Sequence, residues 1–160
     1  MLKNIPKILS PELVKILMEM GHGDEIVIAD GNFPSHTISS RVVRADGLSG
    51  TQLLEAIMAL FPLDSYAEQQ VYLMEVVPGD DYQPEVWEEY NNILEQSGEA
   101  FEIGYIERFT FYERAKKAFA VVASGEEALY ANIIFKKRCS KISTINYEQI
   151  KTATIETQRD

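Results

Sequence analysis

Apolar side chains recur at helical spacing in three windows of the chain. Leu13, Val14, Ile16, Leu17 and Met20 form one stripe, behind Ser10-Pro11-Glu12, which offers a hydroxyl cap and a proline at the first helical position. Gly21 is the expected left-handed stop. Ser49 and Gln52 make a capping-box pattern ahead of Leu53, Leu54, Ile57, Met58 and Phe61, with Pro62 as the breaker. A third helix is predicted from near Pro84 to before Gly98, burying Val86, Trp87, Tyr90, Ile93 and Leu94 in the core. Thr110 to Lys117 reads as a shorter one.

Between these windows lie short, nearly continuous apolar runs of the kind found in strands covered on both faces. They are Glu25 to Asp30, Arg41 to Ala45, Val71 to Val77, Ala118 to Ala123 and Asn132 to Phe135. Phe101, Ile103 and Tyr105 alternate with Glu102 and Gly104, predicting a strand exposed on one side. The segment with Asn32, Pro34 and His36 reads as a polar loop. Strands alternating with helices of about a dozen residues imply a layered α/β sheet with helices on both faces. One domain is expected over residues 1–138. Residues 139–160 are mostly polar, with Ile142, Ile145, Ile150 and Ile155 too sparse to define a face, and read as a peripheral extension.

A chain of 160 residues, 46% hydrophobic and 25% charged, is the size of one globular unit. The formal charge of −10 repels phosphate backbones and anionic membrane surfaces, so a nucleic-acid partner is not expected. The runs Ala56 to Phe61 and Ala118 to Ala123 are far shorter than the roughly 20 residues of a membrane span. Lys3, Pro6, Lys7 and Glu12 interrupt the start before the apolar core of a secretion signal can form, and Cys139 is the lone cysteine, which suits a reducing, cytoplasmic setting. Charge is also uneven: no Lys or Arg occurs from Ala45 to Glu107, a stretch holding fourteen acids. A solvated acidic face explains it simply; as a field it favours neutral or cationic ligands over anions.

Signatures of phosphate loops, nucleophile elbows and metal-ligand pairs are missing from the sequence. With two histidines, His22 and His36, the near-neutral acid–base candidates are few. His22 sits in Gly21-His22-Gly23-Asp24, where glycines let a ligand approach the backbone; the plainer reading is a hydrogen-bonding turn residue. Asp30 ends a buried strand, where layered α/β proteins collect ligands, or it caps its own turn. Arg108 either pairs with Glu102, Glu107 or Glu113 or contacts a ligand. The run Arg108-Phe109-Thr110-Phe111-Tyr112-Glu113-Arg114 carries aromatic and charged groups suited to a sugar, or to a core-facing cluster. Tyr130-Ala131-Asn132 places a phenol and a carboxamide at the mouth of the last strand.

Taken in order, these segments resemble the L-fucose mutarotase and D-ribose pyranase family of cytoplasmic sugar-anomer isomerases. The resemblance rests on Ser10-Pro11-Glu12-Leu13, Met20-Gly21-His22-Gly23-Asp24-Glu25-Ile26, Asp30, Phe33-Pro34-Ser35-His36 and Arg44-Ala45-Asp46-Gly47-Leu48. It continues in Leu63-Asp64-Ser65-Tyr66-Ala67, Arg108-Phe109, Phe111-Tyr112-Glu113-Arg114-Ala115 and Tyr130-Ala131-Asn132-Ile133-Ile134. Arg108 with the Phe-Tyr-Glu-Arg run looks like the fucose branch, since the ribose branch usually has histidine at that position. Arg138, where the family commonly has glycine, and the longer tail depart from the pattern.

The resemblance implies a three-layer α/β/α sandwich with a mixed sheet and anomer exchange of L-fucose without cofactor or metal. His22 would be the proton donor, Asp30, Arg108, Tyr130, Ala131 and Asn132 would hold the monosaccharide, and Tyr112 and Glu113 are secondary candidates. It also implies a homo-oligomer, commonly a decamer of two pentameric rings, with sites between subunits. The spacing adds its own argument: an extended Glu25 to Asp30 spans roughly 20 Å and sets His22 and Asp30 near its opposite ends, which favours a site shared between copies. The alternatives are a D-ribose pyranase and a noncatalytic sugar-binding assembly.

Overall fold

Helix α1 (Pro11–Glu19) begins where Ser10 Oγ accepts the Leu13 amide at 3.1 Å, and it buries Leu13, Ile16 and Leu17. It ends on extended Met20, and the left-handed residue is Gly23 (φ +84°) rather than Gly21. Two bonds shape that turn: Asp24 Oδ2 accepts the Gly21 amide at 2.7 Å, and the Gly23 amide donates to the Lys137 carbonyl at 2.8 Å. The chain then enters β1 (Glu25–Ala29), buried on both faces after its first residue.

This computed structural model describes residues 2–138; Cys139 and the extension expected over 139–160 lie outside the described residues. After β1 come α2 (Ser35–Ile38), β2 (Val42–Ala45), α3 (Gly50–Met58), β3 (Val71–Met74) and α4 (Val86–Gln96). They are followed by β4 (Ile103–Ile106), α5 (Arg108–Lys117), β5 (Ala120–Ser124) and β6 (Ile133–Lys136). The capping box at Ser49 and Gln52 is present in full. The single turn of α2 corrects the expected polar loop: four residues are too few for an apolar period, and buried Ser35 holds it in place.

The six strands form one mixed sheet in the order β2-β5-β1-β6-β3-β4. Parallel pairing joins β2 to β5, β5 to β1 and β3 to β4, whereas β6 is antiparallel to both β1 and β3. Every strand but β6 therefore runs the same way. Ile26, Ile28, Val122, Ile133 and Phe135 meet α1, α3 and α4 on one face. Val27, Ala29, Val121 and Ile134 meet Phe33, Ile38, Phe111 and Ala115, around α2 and α5, on the other. The expected three layers are thus present. No helix of the described residues is long and apolar enough to cross a membrane.

Two burial expectations are corrected. Edge strand β4 turns Tyr105 outward at 48% exposure and buries Gly104, because a side chain at 104 would strike Gln69. Trp87 is half-buried rather than core: its ring leans on Tyr105, with centroids 5.0 Å apart.

Gly50, the first residue of α3, is buried against fully buried Tyr90, and an added Cβ would collide with the Tyr90 hydroxyl. Gly50→Ala is therefore expected to lower stability by about 1–3 kcal/mol, read by urea denaturation. Adding Tyr90→Phe should remove part of that loss; a Gly50→Ala protein as stable as the parent would show that α3 and α4 shift freely.

Candidate functional site

Because β6 is reversed, its amino end lies beside the carboxyl ends of β1 and β3, with Ile133 opposite both Ile28 and Leu73. Residues following β1, β3 and β4 and preceding β6 consequently converge on one edge of the sheet, the edge where layered α/β proteins bind ligands. There a cavity of about 350 Å³ is lined by residues that include Asp30, Phe33, Asp80, Arg108, Tyr130 and Asn132.

Asp30 and Asn132 are joined reciprocally. The Asp30 amide donates to Asn132 Oδ1 at 2.9 Å, and Asn132 Nδ2 donates to Asp30 Oδ2 at 2.7 Å. Asp30 Oδ1 also accepts the Asn32 amide at 2.9 Å, so the carboxylate both caps its own turn and faces the cavity. Burial pushes its pKa above the ordinary 3.8; bonds from Asn32, Asn132 and Phe33 oppose the shift, and the Glu126 charge adds to it. A carboxyl raised in the folded state contributes most to stability below its unfolded pKa, and that contribution is lost as pH rises through the folded value. The ionised form at neutral pH is accordingly held at a cost, which a ligand donating hydroxyl hydrogens would offset.

Arg108, the first residue of α5, enters the cavity lining while its guanidinium lies 4.9 Å from the Phe109 ring centre. Tyr112, one turn on, also lines the cavity and meets Phe33 edge-on at 5.5 Å. Phe111 between them is fully buried. Arg114 binds Glu25 through two contacts of 2.9 and 2.6 Å and lies over the Tyr72 ring. The aromatic run thus serves both readings: Arg108 and Tyr112, one turn apart, line the cavity, Phe111 is given to the core, and Phe109 stays exposed. Glu113 does not join the cavity: it is exposed and paired with Lys116 at 2.5 Å, and that pairing lowers its pKa, opposite to what a neutral-range acid needs.

Tyr130 and Asn132 line the cavity; Ala131, between them, is buried and contributes a carbonyl that accepts the Tyr90 hydroxyl at 2.8 Å. The Tyr130 hydroxyl donates to Asp80 Oδ2 at 2.8 Å, which raises the phenol's pKa. Asp80 was not singled out from the sequence. It follows the buried strand β3 and the turn at Pro78 and Gly79, inside a long acidic stretch whose carboxylates look alike in the sequence.

His22 lies elsewhere. Its turn precedes β1, at the edge opposite Asp30, and its ring meets the Tyr66 ring edge-on at 6.2 Å. Tyr66 is 80% exposed and follows Asp64, whose Oδ1 accepts its amide. The described chain therefore presents the two groups on separate surfaces.

Comparison with known proteins adds the following. Residues 3–139 match the model of the RbsD / FucU transport protein family. The chain is 54% identical over 142 residues to fucose mutarotase of Homo sapiens, covering 85% of this chain and 92% of that protein. It is 51% identical over 138 residues to L-fucose mutarotase of Actinobacillus pleuropneumoniae, covering 86% and 96%. The crystal structure of the fucose mutarotase from Streptococcus pneumoniae in complex with L-fucose superposes with a TM-score of 0.83 at 51% identity, covering 87% and 99%.

The two influences on Asp30 can be separated. Asn132→Leu removes a bond that lowers its pKa at similar volume and should raise the midpoint of the Asp30 carboxyl, whereas Glu126→Gln removes a neighbouring negative charge and should lower it. Carbon NMR titration of the side-chain carboxyl measures both, and shifts of the same sign would discount this account of the site.

Proposed function

The chain belongs to the RbsD / FucU transport protein family, and on that premise we propose that it is an L-fucose mutarotase, interconverting the α and β anomers of the sugar. The observation that carries this is identity above one half to fucose mutarotases along most of both chains, one of them solved with L-fucose. The cavity supports it with chemistry suited to a neutral deoxy sugar. Asp30 and Asn132 offer acceptors and a donor for hydroxyls, Arg108 adds donors, and Phe33, Met74, Val77 and Tyr112 supply apolar wall for a methyl group.

Anomer exchange opens and recloses a cyclic hemiacetal. A proton is delivered to the ring oxygen as the anomeric hydroxyl gives one up; the bond from ring oxygen to anomeric carbon breaks, leaving an aldehyde and a free hydroxyl. Rotation presents the other carbonyl face, and the same hydroxyl adds back. Nothing is oxidised or reduced, and the protons return to the donors that lent them. An imidazole suits such transfers because its ordinary titration range lies near neutrality, and general acid–base catalysis contributes about 10² to 10⁴ in rate. His22 is the proton donor in this proposal.

His22 reaches the sugar from a second copy of the chain. The supporting geometry is strand β1 itself: its five residues, about 16 Å long at 3.3 Å per residue, stand between the turn that holds His22 and Asp30. The assembly proposed is a cytoplasmic homo-oligomer, a decamer of two pentameric rings, with each cavity completed by its neighbour.

Exchange NMR of L-fucose with and without the protein tests the activity, with D-ribose as the comparison sugar. Faster α/β exchange for fucose is expected, and His22→Ala should slow it at least tenfold with the fold intact. Ribose-only acceleration would make the protein a pyranase, and saturable binding without acceleration would make it a sugar-binding assembly. Mixing His22→Ala with Asp30→Ala subunits should restore part of the activity through hybrid sites; no recovery after subunit exchange would refute the shared site.

A further inference from the structure

We infer that Trp87 is a positioning residue of the sugar site, acting through the backbone of Tyr130. This rests on the functional reading above in one respect only, that Tyr130 and Asn132 contact the sugar.

Trp87 stays outside the lining of the sugar cavity; it lines an adjoining groove with Tyr105 and Tyr82, and Asp80 borders both. Its indole Nε1–H nevertheless donates to the Tyr130 carbonyl at 2.9 Å. One turn along α4, the Tyr90 hydroxyl donates to the next carbonyl, that of Ala131, at 2.8 Å. Side chains three apart share a helix face, so α4 offers two donors to two successive carbonyls. In an extended chain successive carbonyls point to opposite sides, and one helix face could not serve both. Tyr130 resolves this by taking a left-handed backbone conformation (φ +58°), uncommon for a bulky residue and one that needs support from its surroundings.

The turn at Tyr130 aims both cavity groups. On one side the phenol swings to Asp80 and stacks on Tyr82, with ring centres 5.9 Å apart. On the other, Asn132 lands where it can exchange bonds with Asp30. Tyr90 is sealed in the core and its hydroxyl has no room to move, being packed against Gly50. The bond from Trp87 is thus the adjustable half of the clamp. It acts on the ground-state shape of the pocket and touches no reacting atom, so its loss should weaken sugar binding and leave the chemical step largely alone.

Trp87 is the sole tryptophan of the chain, so an analogue fed in place of tryptophan replaces that one residue. β-(3-Benzothienyl)alanine substitutes sulfur for the indole N–H at nearly unchanged shape, whereas 7-azatryptophan keeps the donor. Calorimetry with L-fucose should show the benzothienyl protein binding about three- to tenfold more weakly, the worth of one hydrogen bond, and the azatryptophan protein binding like the parent. Anomer exchange at saturating fucose should stay within about twofold of the parent rate. Equal affinities for the two analogue proteins, or a fall in saturated rate with affinity unchanged, would overturn the assignment. Should the parent bind fucose without accelerating its exchange, the mutarotase reading fails while the affinity comparison still decides the role of Trp87.

Discussion

The reversed direction of β6 is the constraint from which the site follows. Were β6 parallel to the other five strands, the residues before it would lie at the far edge of the sheet. Antiparallel pairing to β1 and β3 returns its amino end to their carboxyl ends instead. Ile133, Ile134 and Phe135 are fully buried between the two helical layers, so a slip of one residue would put a polar neighbour, Asn132 or Lys136, at a core position. Asn132 is thereby fixed beside Asp30, and Tyr130 is carried within reach of α4 and of the loop after β3.

Charge and burial then divide the work at that edge. The long acidic stretch lacks a cation until Arg108, and the cavity holds Asp30 and Asp80 against this one guanidinium. Such a balance disfavours sugar phosphates and suits an uncharged monosaccharide, whose hydroxyls meet either charge equally well. Burial lifts Asp30 and the Asn132 bond restrains it. The carboxylate stays a strong acceptor because its neighbours were arranged by the strand, independently of any ligand.

The helices with caps and apolar stripes were legible in the sequence, as were the buried strands, since both follow from local periodicity. Those signals stop where tertiary contacts decide. Gly23 rather than Gly21 takes the left-handed turn because Asp24 and the distant Lys137 bind the loop. The α2 turn is too short to show a period, and the alternation of β4 was inverted by a close approach at Gly104. At the site, strand-end Asp30 and the Tyr130–Asn132 segment could be singled out locally. Asp80 could not be told from its acidic neighbours without knowing which strand ends lie together, and Trp87 looked like core because helical spacing reports a face and never which polar atom it offers.

Helix α5 is fixed at one end and works at the other. Arg114 is bolted to Glu25 and Tyr72, near the start of β1, while Arg108, about 9 Å back along the axis, reaches into the cavity with an exposed side chain. The helix is in effect a cantilever, its anchorage spent far from its tip. A change of residue at the tip alters the lining of the cavity without loosening what holds the helix, so position 108 is free to vary in shape and charge at almost no cost to stability.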